Sequence, residues 1–239
     1  MKPILMLLLG CLALIGSVRA QTSSDAAEYQ VPLVAGKPYL HVIHEGRSVK
    51  VERVQDPEFE LRGYYAKTSR KCPPFCLHPM TAAPGVETVG EVEVFDFMET
   101  KLRDGTGMLI DSRTEEWYKK GTIPGSVHIA FDSLALDPGD PKWADILKQF
   151  GVNPRSSESL VDRAKRALGL AGDPLKTDKW DFGEAKDLIL FCNGPACDQS
   201  PRAIRSLLSV GYPASKLFYY RGGMQAWEMW GLTTVVPGQ

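Results

Sequence analysis

The chain has 239 residues, 44% of them hydrophobic, which is enough to bury one substantial core and to leave a smaller accessory segment. Its 28 basic and 29 acidic residues nearly cancel, so the formal net charge is −1. Such a balanced composition does not favour nucleic acid or an anionic membrane as a partner, which leaves small molecules and proteins.

Residues 1–20 have the pattern of a cleaved secretory signal peptide. Lys2 gives a positive start, residues 4–15 form a short apolar run, and the sequence Val-Arg-Ala at 18–20 is typical of a cleavage site. The apolar run is too short to span a membrane. We therefore expect a periplasmic or secreted protein with no membrane span. Lipoprotein processing at Cys11 is disfavoured, because apolar residues continue beyond it.

Residues 21–87 are expected to form an accessory segment ahead of the main domain. Apolar and polar residues alternate at 40–44 and again at 47–54. Between these runs stands the pair Glu45-Gly46, which suits a tight turn. The pattern predicts an N-terminal β-hairpin.

The sequence Cys-Pro-Pro-Phe-Cys at 72–76 predicts a rigid loop, because proline fixes its own backbone and restricts the residue before it. In an oxidising compartment we expect a disulfide between Cys72 and Cys76. Free thiols, metal ligation and pairing with Cys192 or Cys197 remain the alternatives.

Residues 88–235 alternate helical and strand patterns, beginning with a helix at 92–102 and a strand at 108–111. This order predicts an α/β fold in which a parallel sheet is flanked by helices on both faces. A long insertion at 132–186 interrupts the alternation. It carries two helical patterns, at 143–150 and about 158–168.

The most informative segment runs from Asp187 to Pro201 and places Cys192 directly after a strand. The apolar run at 188–191 lacks alternation, which is typical of a strand buried on both faces. We expect a helix to follow, with Ser200 as its cap and Pro201 at its first position. A cysteine at such a junction faces free N–H groups and the positive end of the helix dipole, which stabilise a thiolate.

Two further motifs flank this loop along the chain. Asp-x-Arg at 111–113 is followed by Gly-x-Ile-Pro-Gly-Ser at 121–126, and Arg-Gly-Gly-Met-x-x-Trp stands at 221–227. Together with Cys192 between them, these motifs resemble the rhodanese family of sulfurtransferases over about residues 88–235. Each motif alone would be much weaker evidence.

The resemblance implies a rhodanese-like fold and a sulfurtransferase activity. Cys192 would attack the outer sulfur of thiosulfate or a persulfide and hold that sulfur as a persulfide for a thiol or cyanide acceptor. The acceptor would be a small thiol or a thiol of a partner protein. The resemblance implies no cofactor. We expect no metal, because His78 beside Cys72 and Cys76 leaves a fourth ligand missing.

Other residues are expected to have supporting roles around Cys192. Asp111 and Arg113 would orient the loops beneath the site. Backbone N–H groups of the loop would bind the substrate anion, and the residues that offer them are Asn193, Gly194, Ala196, Cys197 and Asp198.

The loop departs from the family pattern at its end. Members of the family typically close this loop on an arginine, where Cys197 stands here, so a bidentate clamp for the anion is lost. Arg202 could replace part of it. The basic run Lys67, Arg70 and Lys71 could also help, if it lies over the loop. The departure puts thiosulfate in doubt as the natural donor.

Two other functions remain open. A thiol-disulfide oxidoreductase would use Cys192 with Cys197 and Cys72 with Cys76. A non-catalytic module would use the rhodanese fold only to recognise a partner, although such modules usually lack the cysteine. Phosphatase chemistry is disfavoured, because the sixth residue after the cysteine is Asp198, which repels phosphate.

Overall fold

A computed structural model describes residues 30–135, 140–155, 164, 167–168 and 179–239. The predicted signal peptide lies outside the described residues, as does most of the helix predicted at about 158–168.

The predicted N-terminal hairpin is confirmed. Strands β1 (Tyr39–His44) and β2 (Arg47–Glu52) pair antiparallel with Val42 opposite Val49. Glu45 and Gly46 close the turn with φ angles of 47° and 77°. Two consecutive positive φ angles match the twist of the flanking strands, which is why this turn holds the two strands in register.

The centre of the fold is a parallel sheet of five strands among the described residues. Its strands are β3 (Glu87–Val89), β4 (Gly107–Asp111), β5 (Ser126–His128), β8 (Asp187–Phe191) and β9 (Leu217–Tyr220). They lie in the order β3-β9-β8-β4-β5, and every pair is parallel. The carboxyl ends of β4, β8 and β9 therefore meet at one edge.

Short helices and a two-stranded ribbon connect these strands. The helices are α1 (Glu91–Phe97), which continues as a π-helical turn over Met98–Leu102, α2 (Glu115–Tyr118), α3 (Pro141–Gln149), α4 (Gln199–Ser209) and α5 (Gly223–Met229). A 3₁₀ turn covers Ala214–Lys216, and the ribbon pairs β6 (Asn153–Pro154) with β7 (Trp180–Asp181). In the described part of the chain, we found no helix with the length and apolar character needed to cross a bilayer.

The sheet divides the core into two layers, and strand β8 contributes to both because its successive side chains point to opposite faces. Leu188 and Leu190 pack with α3 and α4 on one face, whereas Ile189 and Phe191 pack with α1 and α5 on the other. Helices therefore cover both faces, as predicted. The hairpin also joins the second layer, since Leu40, Val42 and Val51 are buried there.

The start of α4 differs from the prediction. The helix begins at Gln199, so Asp198 is its cap residue and Pro201 is its third residue rather than its first. Ser200 is therefore not the cap. It lies inside the first turn, where its hydroxyl is free to bond with a neighbouring side chain instead of with the helix.

Candidate active site

Cys192 lies at the carboxyl edge of the sheet, directly after β8. Its side chain is 2% exposed, because it is enclosed between the end of this strand and the first turn of α4. The neighbouring strand β4 ends at the same level, since Asp111 pairs with Phe191. The sheet thus brings the two predicted motif residues, Cys192 and Asp111, to one edge.

The Cys192 sulfur has both a hydrogen-bond acceptor and a hydrogen-bond donor beside it. Its thiol donates to the Cys197 carbonyl over 3.4 Å. The Ser200 hydroxyl donates to the Cys192 sulfur over 3.1 Å. Burial alone raises the pKa of Cys192, but hydrogen bonds from the Cys197 thiol, the Ser200 hydroxyl and the backbone N–H groups of Ser200 and Gly194 outweigh it, so the pKa is lowered. The arrangement favours a buried thiolate.

Cys197 has the opposite tendency. The neighbouring Cys192 side chain and burial raise the pKa of the Cys197 thiol, which therefore stays protonated. The Cys197 thiol donates to the side-chain oxygen of Gln199 over 3.5 Å. The Cys197 backbone N–H donates to the carbonyl of Gly194 over 2.9 Å and is thus used within the loop.

The start of α5 holds the loop in place. The N–H of Met224 donates to the Cys192 carbonyl and the N–H of Gln225 donates to the Asn193 carbonyl, both over 3.0 Å. Gly223 has a φ of 53°, and a Cβ at this position would overlap the Cys192 carbonyl oxygen. A glycine is needed here because the two backbones approach so closely.

A buried ion pair is linked by hydrogen bonds to the loop that follows Cys192. The Arg113 guanidinium donates to both Asp111 oxygens, at 2.9 and 2.6 Å, and both side chains are at most 1% exposed. Arg113 also donates to the Tyr65 hydroxyl over 3.2 Å, and this hydroxyl donates to the Asn193 side-chain oxygen over 2.6 Å. Asp111 and Arg113 therefore act on the loop through Tyr65, which burial keeps protonated by raising its pKa.

Residues 64–79, which we call the covering segment, lie over the loop that follows Cys192. One end is fixed by Tyr65, and the other by His78, whose N–H donates to the Pro195 carbonyl over 2.9 Å. Arg221 also donates to the His78 carbonyl over 2.9 Å. The sulfurs of Cys72 and Cys76 lie within disulfide-bonding distance between these two anchors.

The covering segment and the loop enclose a cavity of about 330 Å³, which we call the loop cavity. The covering segment contributes Tyr64, Arg70, Pro74 and Phe75 to its lining. The loop and the start of α4 contribute Asn193, Gly194, Ala196, Cys197, Asp198 and Gln199, and the remaining lining residues are Trp117 and Gln225. Five residues predicted to bind substrate lie together around this cavity, from Asn193 to Asp198 without Pro195. Of these, Cys197 differs from the prediction, because its N–H is already bonded to the Gly194 carbonyl.

Arg202, by contrast, does not line the loop cavity. Its guanidinium carbon is 4.5 Å from the centre of the Phe131 ring, and one of its nitrogens is 4.0 Å from an Asp198 oxygen. Of the predicted basic run, Arg70 lines the loop cavity, whereas Lys67 and Lys71 line an adjoining groove. Within the described ranges, no group of three metal-binding side chains occurs.

Sequence reasoning missed two hydrogen-bonding partners of the loop. Ser200 was predicted to cap the helix, but its hydroxyl donates to Cys192. The sequence does contain a signal for this contact, because the Ser200 hydroxyl stands eight residues after Cys192 and within the first helical turn. Tyr65 left no local signal, since its partner Asn193 is 128 positions further along the chain.

Comparison with solved structures gives distant matches. The human single-domain sulfurtransferase TSTD1 is 23% identical, with 60% of this chain and 96% of that chain covered and a TM-score of 0.34. A rhodanese-related protein from Thermoplasma volcanium is 15% identical, with coverages of 63% and 98% and a TM-score of 0.36. The single-domain sulfurtransferase RDL2 of Saccharomyces cerevisiae is 14% identical, with coverages of 60% and 89% and a TM-score of 0.33.

Comparison with curated proteins gives no match. A family model does match, and it describes the rhodanese-like domain and extends over residues 96–229, more than half of the chain. The matched range contains Asp111, Arg113 and Cys192 and the whole loop that follows it. The chain belongs to the family of rhodanese-like domain proteins.

Proposed function

We propose that this protein is a periplasmic sulfurtransferase that carries a sulfane sulfur on Cys192. The observation that carries the proposal is the buried Cys192 sulfur, whose pKa is lowered by hydrogen bonds from Ser200, Cys197 and the backbone. A thiolate is the nucleophile that sulfur transfer requires. The periplasmic location is part of the proposal, and its basis is the leader pattern of residues 1–20.

The reaction proceeds in two displacements. The Cys192 thiolate attacks the outer sulfur of thiosulfate or of a persulfide, the bond between the two donor sulfurs breaks, and sulfite or a thiolate leaves. Cys192 then holds the sulfur as a persulfide. An acceptor thiolate attacks this outer sulfur, and the Cys192 thiolate is released by the reverse bond exchange.

The buried ion pair of Asp111 and Arg113 has a positioning role in this proposal. It fixes the Tyr65 hydroxyl, which in turn fixes the Asn193 side chain at the start of the loop. The loop N–H groups are thereby held in place before substrate enters, so that no reorganisation is needed when charge moves during the reaction.

Substitution of the nucleophile tests the proposal. Cys192→Ser should abolish sulfur loading and leave the fold intact, because the change is nearly isosteric. Intact mass spectrometry before and after incubation with thiosulfate or cysteine persulfide measures the gain of one sulfur atom, and peptide mapping locates it. Cys197→Ser is the matched control, because it changes a neighbouring thiol but keeps a hydroxyl donor. Loading of Cys192→Ser at the wild-type rate would refute the mechanism.

A thiol-disulfide oxidoreductase is the second candidate. The observations that favour it are the closeness of Cys192 to Cys197, whose carbonyl accepts from the Cys192 thiol over 3.4 Å, and the disulfide-bonding distance between Cys72 and Cys76. The raised pKa of Cys197 argues against it, since a protonated thiol is a poor attacking group. The same mass measurement separates the two, because an oxidoreductase gains no sulfur and changes only its number of disulfides.

A further inference from the structure

The loop cavity has walls that differ from those expected around a small inorganic anion. The covering segment contributes the aromatic rings of Tyr64 and Phe75, and Trp117 lies against Tyr64 with ring centres 4.3 Å apart. Aromatic faces bind hydrocarbon and cations, and they give no hydrogen bonds to the oxygens of a dianion. The cavity volume of about 330 Å³ also falls at the lower end of the range for sites that bind organic molecules.

Arg70 supplies a positive charge to this cavity. Its guanidinium carbon lies 3.8 Å from the centre of the Tyr64 ring and 5.1 Å from that of Phe75, and one nitrogen donates to the Tyr64 carbonyl. Among the residues that the structure describes, no carboxylate pairs with it. A guanidinium that stacks by its faces keeps the N–H groups of its edge, which match a carboxylate.

The loop side of the cavity has a different character. Asp198 contributes a carboxylate, and Gln199 and Gln225 contribute amides. A carboxylate repels thiosulfate, which carries two negative charges, but it attracts an ammonium or amide N–H group. The cavity thus combines one cation, one carboxylate, two amides and apolar rings.

We propose that the loop cavity binds a low-molecular-weight persulfide built on an amino acid or short peptide, and that Arg70 selects it by binding its carboxylate. The hydrocarbon part would lie against Tyr64 and Trp117, and the ammonium or amide would face Asp198. This inference rests on the proposed sulfur transfer. It assigns to the covering segment the cation that the loop lacks at Cys197.

The chemical step is balanced without a further reactant. The Cys192 thiolate attacks the outer sulfur of the donor, R–S–SH, and forms a new S–S bond while the bond between the two donor sulfurs breaks. The electron pair of the broken bond leaves with the donor as R–S⁻, and the proton stays on the transferred sulfur. Nothing is oxidised or reduced overall, and Arg70 touches only the remote carboxylate.

The test compares two donors that differ only in the carboxylate, cysteine persulfide and cysteamine persulfide. Single-turnover loading of Cys192 is followed by intact mass at increasing donor concentrations. In the wild type we expect loading at low donor concentration to be about tenfold faster with cysteine persulfide. In Arg70→Gln we expect the ratio between the two donors to fall close to one, through a higher half-saturating concentration of cysteine persulfide rather than a lower maximal rate.

Two variants accompany this comparison. Arg62→Gln is the matched control, because Arg62 belongs to the same accessory region but lines a different cleft with Glu228 and Thr233, so the donor ratio should stay at its wild-type value. Arg70→Lys should restore part of the preference, because it keeps the charge and loses the bidentate geometry. Thermal unfolding of each variant checks that the fold is retained.

The outcomes separate the two proposals. If the wild type loads sulfur from both donors without preference, or if Arg70→Gln keeps the preference, the role of Arg70 is refuted and the sulfurtransferase function stands. If Arg70→Gln slows both donors equally, Arg70 has only a structural role. If the wild type loads from neither persulfide nor from thiosulfate, the proposed function and this inference fail together.

Discussion

At the scale of single residues, Ser200 is one of the groups that lower the pKa of Cys192. Ser200→Ala removes the hydroxyl that donates over 3.1 Å, so the lowered pKa of Cys192 should rise. Because the thiolate is the deprotonated form, its titration should move to higher pH. Sulfur loading should fall near neutral pH and recover in more alkaline buffer.

The measurement is the ultraviolet absorbance of the thiolate across a pH series, with the signal of Cys192→Ser subtracted. Ser209→Ala is the control, because it removes a hydroxyl from the exposed end of the same helix, where the hydroxyl donates only to the Ser206 carbonyl. An identical titration for wild type and Ser200→Ala would show that this hydrogen bond does not stabilise the thiolate.

The residues of the site differ in how far local sequence predicts them. Cys192, Asp111 and Arg113 stand at strand ends within short motifs, so the sequence indicates both their place and their proximity. Tyr65 and Arg70 come from a segment that no strand or helix pattern orients, and their contacts with the loop depend on tertiary packing. The sequence predicts that Ser200 lies at the start of the helix, but it does not show whether its hydroxyl caps the helix or bonds to sulfur. That depends on where Cys192 lies in the fold.

At the scale of elements, the covering segment supplies four of the side chains that line the loop cavity, which are Tyr64, Arg70, Pro74 and Phe75. Phe75 lies within the Cys72–Cys76 loop and Arg70 two residues before it, so a bond between the cysteines would fix both cavity-lining side chains. A ring this small limits the unfolded chain only slightly. We therefore expect its effect to be on the cavity rather than on stability.

The double variant Cys72→Ser/Cys76→Ser tests this expectation. The free energy of unfolding should fall by at most about 2 kcal/mol. The cysteine persulfide concentration for half-maximal loading should rise severalfold, toward the value of Arg70→Gln. Non-reducing peptide mapping establishes the bond in the wild type, and Thr68→Ala/Ser69→Ala is a control within the same segment. Free thiols in the map, together with normal loading by the double variant, would leave the segment as a cover only.

Elements with a clear period were predicted close to their observed bounds. The hairpin follows from alternation around Glu45-Gly46, and β8 follows from an unbroken apolar run. The start of α4 was misplaced by two residues, because proline is tolerated throughout the first turn, where N–H groups have no helical partner. The covering segment could not be predicted to lie over the site, since its anchors are long-range hydrogen bonds.

At the scale of the whole molecule, the hairpin is part of the domain core. Leu40 is 3% exposed and packs in the same layer as Ile189 and Trp227. Leu40→Ala should therefore lower the free energy of unfolding of the entire molecule by about 2–4 kcal/mol, within a single urea transition. Ile43, in the same strand, is 65% exposed, and Ile43→Ala should change stability by no more than about 0.5 kcal/mol.

Two separate urea transitions, or equal effects of the two substitutions, would mean that the hairpin unfolds as an independent unit. A single transition would mean that the hairpin unfolds together with the rest of the molecule. The cooperative unit would then be larger than residues 96–229, which the family model matches. The accessory residues that line the loop cavity would then be held as firmly as the sheet itself.

The depth of Cys192 also bears on how long the proposed activity would last. A thiolate in an oxidising compartment is normally consumed by peroxide or captured by passing disulfides. With Cys192 only 2% exposed, slender reagents should reach its sulfur far more easily than bulky ones. The reacting sulfur of a persulfide is terminal, so little bulk surrounds it. Both sulfurs of a protein disulfide are bonded to bulky groups. Steric access, rather than redox potential, would then decide which sulfur compounds react with Cys192.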